Sequence, residues 1–515
     1  RQGDFLAEAG SENRVSFLVS DFQKSITGFD EIHADTSSNI YLVPLMAEQS
    51  DNIFIDSCWF ENPVHQVQQQ TKLFVRIRNV SGTSYEKIPV KLSVNGMQKA
   101  LASFDLGPDD FVDIIIPYTH HEPGRKMAKL EISDYPIVYD DHYYFSYIVR
   151  DMIPVLSIYD REQNPYLQSF FGNDSAFSYK SMQVGRLDYS NLQSHSFILL
   201  DQLSRISSGF TQELSKFVDK GGSLAVFPST DIDLQSYQAF TSQFDASLYS
   251  KLDSIESRVT DINIRHPLFN DVFEEWPSGR EQQGSNIDLP VALKHYPMQY
   301  SSLNMTESLM TLGNDRDFLN IVPFGKGKIY FFASPLDDRF TNLPRHALFV
   351  PLLYRMALLS QALYPLSYTI GSFIVRIELP DISITGDKVF KVRKVENGNE
   401  FIPEHRATAS GTEVILHQQI SSAGHYAISK ESEDIQILSF NYDRRESDLT
   451  LMGEDEIEDM ISAFGHNNIS IFSSLGKPVS QSIQELNEGI QLWKLFIIFV
   501  LIFLAAETIL LRLWK

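Results

Sequence analysis

SFILLDQLSRISSGFTQELSKFVDKGGSLAVFPS, residues 196–229, reads as a strand, a helix and a strand in succession. The outer runs, FILLDQL and SLAVFP, are short and almost continuously apolar, which suits strands covered on both faces of a parallel sheet. Between them Phe210, Leu214, Phe217 and Val218 recur at helical spacing, so residues 208–220 are predicted to be an amphipathic helix. Gly221-Gly222 ends it. The same grammar extends outward. IPVLSIYD (153–160) is a buried strand and PYLQSFFG a short helix. KIYFFASPL is a late strand, with the helix HALFVPLLYRMALLSQAL after it. Strand-then-helix alternation predicts a doubly wound α/β domain over residues 151–365. The stretch 230–320 is less regular and is expected to hold insertions.

Both flanks change period. In KLFVRIRNV, Leu73, Val75 and Ile77 alternate with Phe74, Arg76 and Arg78, and Asn95-Gly96 is a two-residue hairpin signal. Several short strands over residues 51–150 predict an immunoglobulin-like β-sandwich. Phe373, Val375, Ile377 and Leu379 alternate again, and residues 366–445 are predicted to be a second, smaller β-sandwich. Residues 1–50 hold two apolar runs, 15–19 and 39–45, of the parallel-sheet kind. Two strands alone are marginal in water, so they are expected to pair with a sheet supplied upstream of Arg1, or to pack against another domain. Residues 446–490 read as an acidic helix, with Ile457, Ile461 and Phe464 on one face, followed by a juxtamembrane linker.

The chain closes on LWKLFIIFVLIFLAAETILLRL, residues 492–513, interrupted only by Lys494, Glu507, Thr508 and Arg512. Trp493 and Trp514 flank it ~31 Å apart at ~1.5 Å per residue, the spacing of two aromatic belts across a bilayer. Residues 491–515 are therefore predicted to be a transmembrane helix with a short tail. Glu507 is expected to snorkel, to pair with Arg512, or to meet another membrane helix. Arg512 and Lys515 in the tail favour a cytoplasmic C-terminus, with the bulk of the chain periplasmic at an inner membrane.

Among 515 residues, 66 acids stand against 43 bases, a formal charge of −23. This repels phosphate backbones and argues against nucleic-acid binding. The single cysteine, Cys58, makes an intrachain disulfide or a Cys-based zinc site impossible. Asp160, Asp201 and Ser229 or Thr230 fall at the carboxyl ends of predicted parallel strands, where open α/β sheets bind ligands. The fold type resembles class I glutamine-amidotransferase-like domains, whose chemistry needs a thiolate nucleophile oriented by a His. Residues 151–365 have no cysteine, no G-x-S-x-G elbow and no phosphate loop. His195, His266, His295 and His346 are scattered without metal-ligand spacing. DDHYYF (140–145) and YDRRESD (442–448) read as a turn and as local ion pairing, with a cation site or a partner contact as the sharper alternatives. Asp21, in SDFQ just past a buried strand, is a tentative metal ligand whose companions are absent from the chain.

Several stretches together resemble the Bat-type, aerotolerance-associated proteins with an N-terminal double-transmembrane domain. They are LVSDFQKS, DNIFIDS, DDHYYFSY, GGSLAVFPS, GKGKIYFFASPLDDRFTNLPRHALFVPLLYR, FNYDRRESDL and the terminal LWKLFIIFVLIFLAAETILLRLWK. The resemblance implies that residues 1–50 are the C-terminal part of a von Willebrand A-like domain, with Asp21 at its late metal-site position. Any divalent metal would then depend on the region upstream of Arg1, because the D-x-S-x-S motif is absent here. It also implies related membrane proteins and a MoxR-type AAA+ ATPase as partners. No cofactor is visible in the sequence. The reading is a membrane-anchored interaction or scaffold protein of the bacterial envelope rather than an enzyme. An Asp/His-based hydrolase or transferase in the α/β domain, and a carbohydrate- or peptidoglycan-binding sandwich protein, are the alternatives. A deep pocket of convergent polar groups would favour the former, an exposed aromatic platform the latter.

Overall fold

The computed structural model describes residues 14–28, 38–45, 51–62, 64–270, 272–273, 288–299, 306–361, 364–372, 374–380, 389–408, 411–431, 433–463, 468–472 and 493–514. Among them the chain is mostly β, with several sandwich sheets and one C-terminal apolar helix. It divides into two units. One joins residues 1–52, 80–82 and 444–515; the other holds 53–79 and 83–443.

In the first unit Arg14–Ser20 and Ser38–Pro44 pair in parallel, but Val15, Leu18 and Val19 are exposed, so the first strand is not the strand covered on both faces that its apolar run predicts. The third strand of that sheet, Ile469–Ile471, comes from the far end of the chain and also runs parallel to Ser38–Pro44. The acidic helix Glu454–Ala463 precedes it. Ile457 and Ile461 join Phe22, Leu42, Met452 and Ile469 in one small core. Phe464 of the predicted helix face lies outside the described residues. The stretch 446–490 is thus more than a helix and a linker: its described part completes the sheet begun by residues 14–44. No short-range signal announces this, because the partner lies some 400 residues away and the Ile469–Ile471 strand is too short to stand out. The seam is hydrogen-bonded. Gln23 bridges to Leu451, the Lys24 amide donates to Thr450 O at 2.8 Å, and the buried Asn52 donates its side-chain amide to Ser447 O at 2.9 Å. YDRRESD supplies this seam, with Ser25 Oγ donating to Arg445 O at 2.6 Å.

The second unit opens with a β-sandwich. A five-stranded and a three-stranded sheet close over Leu73, Val75, Ile77, Val90, Leu92, Leu130 and their neighbours. The Asn95-Gly96 hairpin joins Tyr85–Val94 to Met97–Leu106. Both turn residues have positive φ, as a primed two-residue turn demands. Cys58 packs in this core, and burial raises its thiol pKa far above the usual range. Asp141 closes a local loop, accepting the Asp134 amide at 3.1 Å. The second sandwich, built on Val375–Pro380, Phe390–Lys394, Gly411–Leu416, Gly424–Lys430 and Glu433–Asn441, has its own core. It is fastened to the first by Asn441, whose side chain accepts the Tyr144 amide at 2.7 Å and donates to Tyr144 O at 2.8 Å.

Between the sandwiches in sequence lies a nine-stranded sheet. Phe177–Gln183, Ile153–Tyr159, Phe197–Leu203, Ser223–Pro228 and Gly327–Phe332 are mutually parallel neighbours in that order. Their alternating residues feed two cores, one on each face. Leu167 and Phe171 of Pro165–Phe171 and Leu352, Leu353 and Met356 of Phe349–Leu358 cover one face. Phe210, Leu214 and Phe217 of Ser208–Asp219 and Phe240 of Leu234–Ser242 cover the other. Ser207 caps the Ser208–Asp219 helix, accepting the Phe210 amide at 3.3 Å. A Cβ on Gly222 would lie 2.3 Å from the Phe217 ring, so a side chain there would have to displace that buried ring. The irregular stretch contributes an antiparallel half, Asp317–Phe324, Glu307–Leu312 and Ser257–Ile262, which makes the sheet mixed rather than wholly parallel.

Trp493–Leu513 is a single helix of 21 residues with mean hydropathy 2.5, and no part of its apolar window is buried. By length and composition it can cross a membrane. Trp493, Glu507, Arg512 and Trp514 are all exposed. No ion pair joins Glu507 to Arg512: five residues on a helix are about 140° apart around the axis, so the two lie on different faces.

Candidate functional site

The carboxyl ends of the parallel strands open onto a cavity of about 670 Å³, within the range of small-molecule sites. Each loop that follows a strand supplies part of its wall. Asp160 follows Ile153–Tyr159, Asp201 and Gln202 end Phe197–Leu203, Ser229 to Asp231 follow Ser223–Pro228, and residues 336–339 follow Gly327–Phe332. Asp160, Asp201, Ser229 and Thr230, the strand-end residues singled out in the sequence, therefore surround one space.

Asn164 ties the loops together. Its side-chain oxygen caps the helix Pro165–Phe171, accepting the amides of Tyr166 at 3.0 Å and Leu167 at 3.4 Å. Its amide nitrogen Nδ2 donates to Leu336 O, and its backbone N–H to Asp201 Oδ2, both at 3.0 Å. On the rim Tyr166 donates to Asp338 at 2.9 Å, and Arg345 pairs with Asp338. Asp337 accepts from Arg339 at 3.0 and 2.7 Å, and this guanidinium holds its carboxyl below the usual range. Ser204 donates to Asp160.

Asp201 is the chemically distinctive member. It is 1% exposed, and its Oδ1 is sealed from solvent with no partner in hydrogen-bond geometry. Burial pushes its pKa up to about 7, opposed by the Asn164 amide and the neighbouring Gln202 side chain. Gln202 holds a left-handed φ of 55° where the strand register shifts between Asp201 and Leu203. A non-glycine residue there carries strain, a feature that clusters at functional sites. Sequence reasoning missed the neighbours on the same sheet face. The Tyr179 hydroxyl is bonded by Ser157, Gln163 and Ser181, and burial raises its pKa. The sequence signal for this cluster is a polar residue inside an apolar strand, Ser157 in IPVLSIYD.

The histidines stay away. His195 ends the turn Tyr189–Ser194 that enters Phe197–Leu203 from the opposite end, with Nδ1 3.0 Å from Asn191 O. His266 and His346 accept the backbone amides of Leu268 and Leu348. His295 is fully buried and its main chain bridges to Asp253. Among the described residues the cavity wall has neither Cys nor His, and no group of three or more His, Cys, Asp or Glu is arranged to hold a metal ion. Asp21, half-buried beyond Arg14–Ser20, is met by the Ser20 hydroxyl at 3.4 Å.

The outer face of the three-stranded sheet in the first sandwich carries a second feature. Trp59 and Phe74 stack with centroids 5.6 Å apart, Ile115 stands beside Phe74 in register, and Phe111 lies at the same edge. Arg76 lies over both Trp59 and Phe111 and is fixed by two 2.8 Å hydrogen bonds to Asp113.

No protein-family model matches the chain, and no curated protein does. Solved structures similar to parts of it include the CARDB domain of a Pyrococcus furiosus protein in complex with di-metal ions, at 15% identity over 20% of this chain and 97% of that one, TM-score 0.18. A putative ThuA-like protein from Bacteroides uniformis is similar at 12% identity over 40% of this chain and 91% of that one, TM-score 0.28. A β-galactosidase from Bacillus circulans sp. alkalophilus is similar at 14% identity over 52% of this chain and 41% of that one, TM-score 0.28. At these identities and TM-scores the likenesses leave function open.

Proposed function

We propose that this chain is a membrane-anchored multidomain interaction protein of the bacterial envelope. The supporting observation is the Trp493–Leu513 helix, whose apolar surface is exposed along its whole length. In this reading the first sandwich is immunoglobulin-like. The nine-stranded module is a doubly wound, amidotransferase-like domain without a nucleophile, and the first unit is the C-terminal part of a von Willebrand A-like domain. The units present surfaces from one tether at an inner membrane, with the bulk periplasmic and the C-terminus cytoplasmic. Partners are membrane proteins of the same system and a MoxR-type ATPase, as the family resemblance implies. Crosslinking of the full-length protein in membranes, followed by identification of captured chains, tests this. Recovery of membrane-protein partners supports it; a monomeric species with none, or release of the protein by alkaline carbonate, refutes it. A reporter fused after Lys515 that is active only in the periplasm refutes the topology.

The aromatic face gives one observation for a second reading, glycan binding by the first sandwich. Trp59, Phe111 and Ile115 are 36–51% exposed on one sheet face around a pinned guanidinium. Cosedimentation with purified peptidoglycan, lost in Trp59→Ala and Phe111→Ala, supports that reading; cosedimentation equal in wild type and variants removes it.

A further inference from the structure

We infer that a cavity between the first and second sandwiches binds a small organic anion, an aromatic monocarboxylate, with Arg150 and Arg125 as its counter-ions. This goes beyond the tethered-scaffold reading and does not depend on it.

Strand register builds the site. Ile148 of the strand His142–Arg150 stands opposite Arg125 of the strand Gly124–Glu131. Successive side chains of a strand alternate between its faces. Ser146, Ile148, Arg150 and Arg125 therefore share one face of the five-stranded sheet, while Phe145, Tyr147 and Val149 enter the sandwich core. The chain that follows the α/β module and the strand Glu433–Asn441 cover that outer face. Ser146 fastens both: its amide donates to Leu366 O at 2.8 Å and its hydroxyl to Ile437 O at 3.2 Å. A cavity of about 240 Å³ remains beneath them. It is smaller than the ~300–1,000 Å³ of drug-sized sites, so its ligand is small.

The charge of the lining is the reverse of the chain's. The protein carries −23 overall, yet two arginines line this cavity and no Asp or Glu does. Other guanidiniums here find carboxylates: Arg76 pairs with Asp113 and Arg393 with Asp434. Among the described residues Arg150 and Arg125 have neither an ion pair nor a hydrogen bond. Arg150 is half-buried, and burial lowers its pKa; the Tyr364 phenol opposes this and Arg125 adds to it. A guanidinium stays protonated in proteins, so the pair is left repelling in partly dry surroundings until an anion joins it. Gln436 is an independent sign of a ligand. It lines the cavity, is 8% exposed, and its side-chain amide has no hydrogen-bond partner among the described residues. Buried amides are nearly always satisfied. The walls set the body of the ligand. Phe60, Tyr147, Tyr364 and Tyr368 offer rings, and Leu366 and Leu438 aliphatic surface. The Tyr147 hydroxyl is already bonded to that of Tyr118, so its ring is what it presents. A guanidinium fork matches a planar carboxylate with two parallel hydrogen bonds. A bare inorganic anion would leave the aromatic walls unused.

The test is titration calorimetry on the full-length protein in a non-ionic detergent, with phenylacetate as the probe. Phenylacetamide keeps the ring without the charge, acetate keeps the charge without the ring, and inorganic phosphate is the bare anion. Phenylacetate is expected to bind at least ~10-fold more tightly than any of the three. Arg150→Gln should lose at least ~10-fold for phenylacetate and leave phenylacetamide unchanged. Arg125→Ala and Gln436→Leu should weaken phenylacetate as well. Arg125 is exposed and bonds to nothing among the described residues, so its variant keeps the fold and remains decisive should Arg150→Gln misfold. Absence of phenylacetate binding, equal binding of phenylacetamide, or affinity unchanged in either arginine variant overturns the assignment. Acetate or phosphate binding as tightly as phenylacetate overturns it too, by removing the aromatic walls from recognition.

Discussion

Asp201→Asn should make the protein more stable, and only above a definite pH. The wild-type carboxyl has its pKa raised from 3.8 to about 7 by burial. The folded state therefore holds a proton that the unfolded chain has released. Stability attached to this group is fully present below pH 3.8 and is lost as pH rises to 7 and beyond. A rise of about 3 pKa units corresponds to about 4 kcal/mol at ~1.36 kcal/mol for each tenfold change in acidity. Asparagine keeps an acceptor for the Asn164 amide but gives up the charge on that bond, worth ~1 kcal/mol. The net gain at pH 8 is then about 3 kcal/mol, falling to nothing near pH 4. The chain is multidomain, so a global melting curve would mix transitions. Hydrogen exchange of the strands Ile153–Tyr159 and Phe197–Leu203, measured at matched intrinsic rates at pH 8 and pH 5, isolates the module. Greater protection in the variant at pH 8 but not at pH 5 is the expected result. A variant less protected at pH 8, or a gain independent of pH, would show that Asp201 is ionised and well paired in the folded state.

Acid should loosen the first sandwich. His65 and His120 are buried beside Tyr147, with pKa values lowered by burial to about 3 and about 4. The unfolded chain takes up protons below pH 6.5 that the folded state refuses, so stability falls from there toward pH 4, by several kcal/mol at ~1.36 kcal/mol per tenfold. The denaturant midpoint of the wild type, followed by tryptophan emission, should fall more steeply between pH 6.5 and pH 4 than that of His65→Phe; equal slopes would refute the assignment. Ile457→Ala removes a side chain with no exposed surface from the small core it shares with Leu42 and Phe22. It should cost about 2–5 kcal/mol and strip exchange protection from Arg14–Ser20 and Ser38–Pro44 while sparing the sandwiches. Equal loss everywhere would mean that the two units are not separately stable. Removal of residues 491–515 should move the protein from the carbonate-resistant membrane pellet to the supernatant; retention in the pellet would mean that Trp493–Leu513 is not the anchor.

Strand and helix patterns were legible wherever a period ran for several residues. Phe210, Leu214, Phe217 and Val218 fixed a helix, Leu73, Val75 and Ile77 a half-buried strand, and Asn95-Gly96 the hairpin between two more. Each signal is local, because burial of one face imposes its period on neighbouring residues. The antiparallel half of the large sheet was not legible. Its strands are short and carry register shifts at Ser308, Met310 and Thr311 that break a period of two. Part of the site was legible too. Asp160 and Asp201 stand out as acids ending apolar runs, but Asn164, Tyr166 and Asp338 meet them only through the fold. The buried hydroxyls look like tolerated polar residues until the sheet places Ser157, Tyr179 and Ser181 on one face.

The pairing that local signals could not show has the widest mechanical consequence. The strand Ser38–Pro44, the helix Glu454–Ala463 and the strand Ile469–Ile471 form one parallel β-α-β connection, and residues 53–443 are inserted within it apart from 80–82. Outgoing and returning chains are clasped where Asn52, fully buried, bonds Ser447 O, and the Val80 amide donates to Asn52 O at 3.1 Å. The sheet ends some 20 residues before Trp493, at most ~70 Å of chain even if fully extended. Every covalent path from the sandwiches and the α/β module to the apolar helix therefore runs through the small three-stranded unit. Among the described residues its core is Phe22, Leu42, Met452, Ile457, Ile461 and Ile469. Ile457→Ala therefore perturbs the stretch of chain that joins the large unit to the apolar helix, which is why its effect is to be read on Arg14–Ser20 and Ser38–Pro44 first.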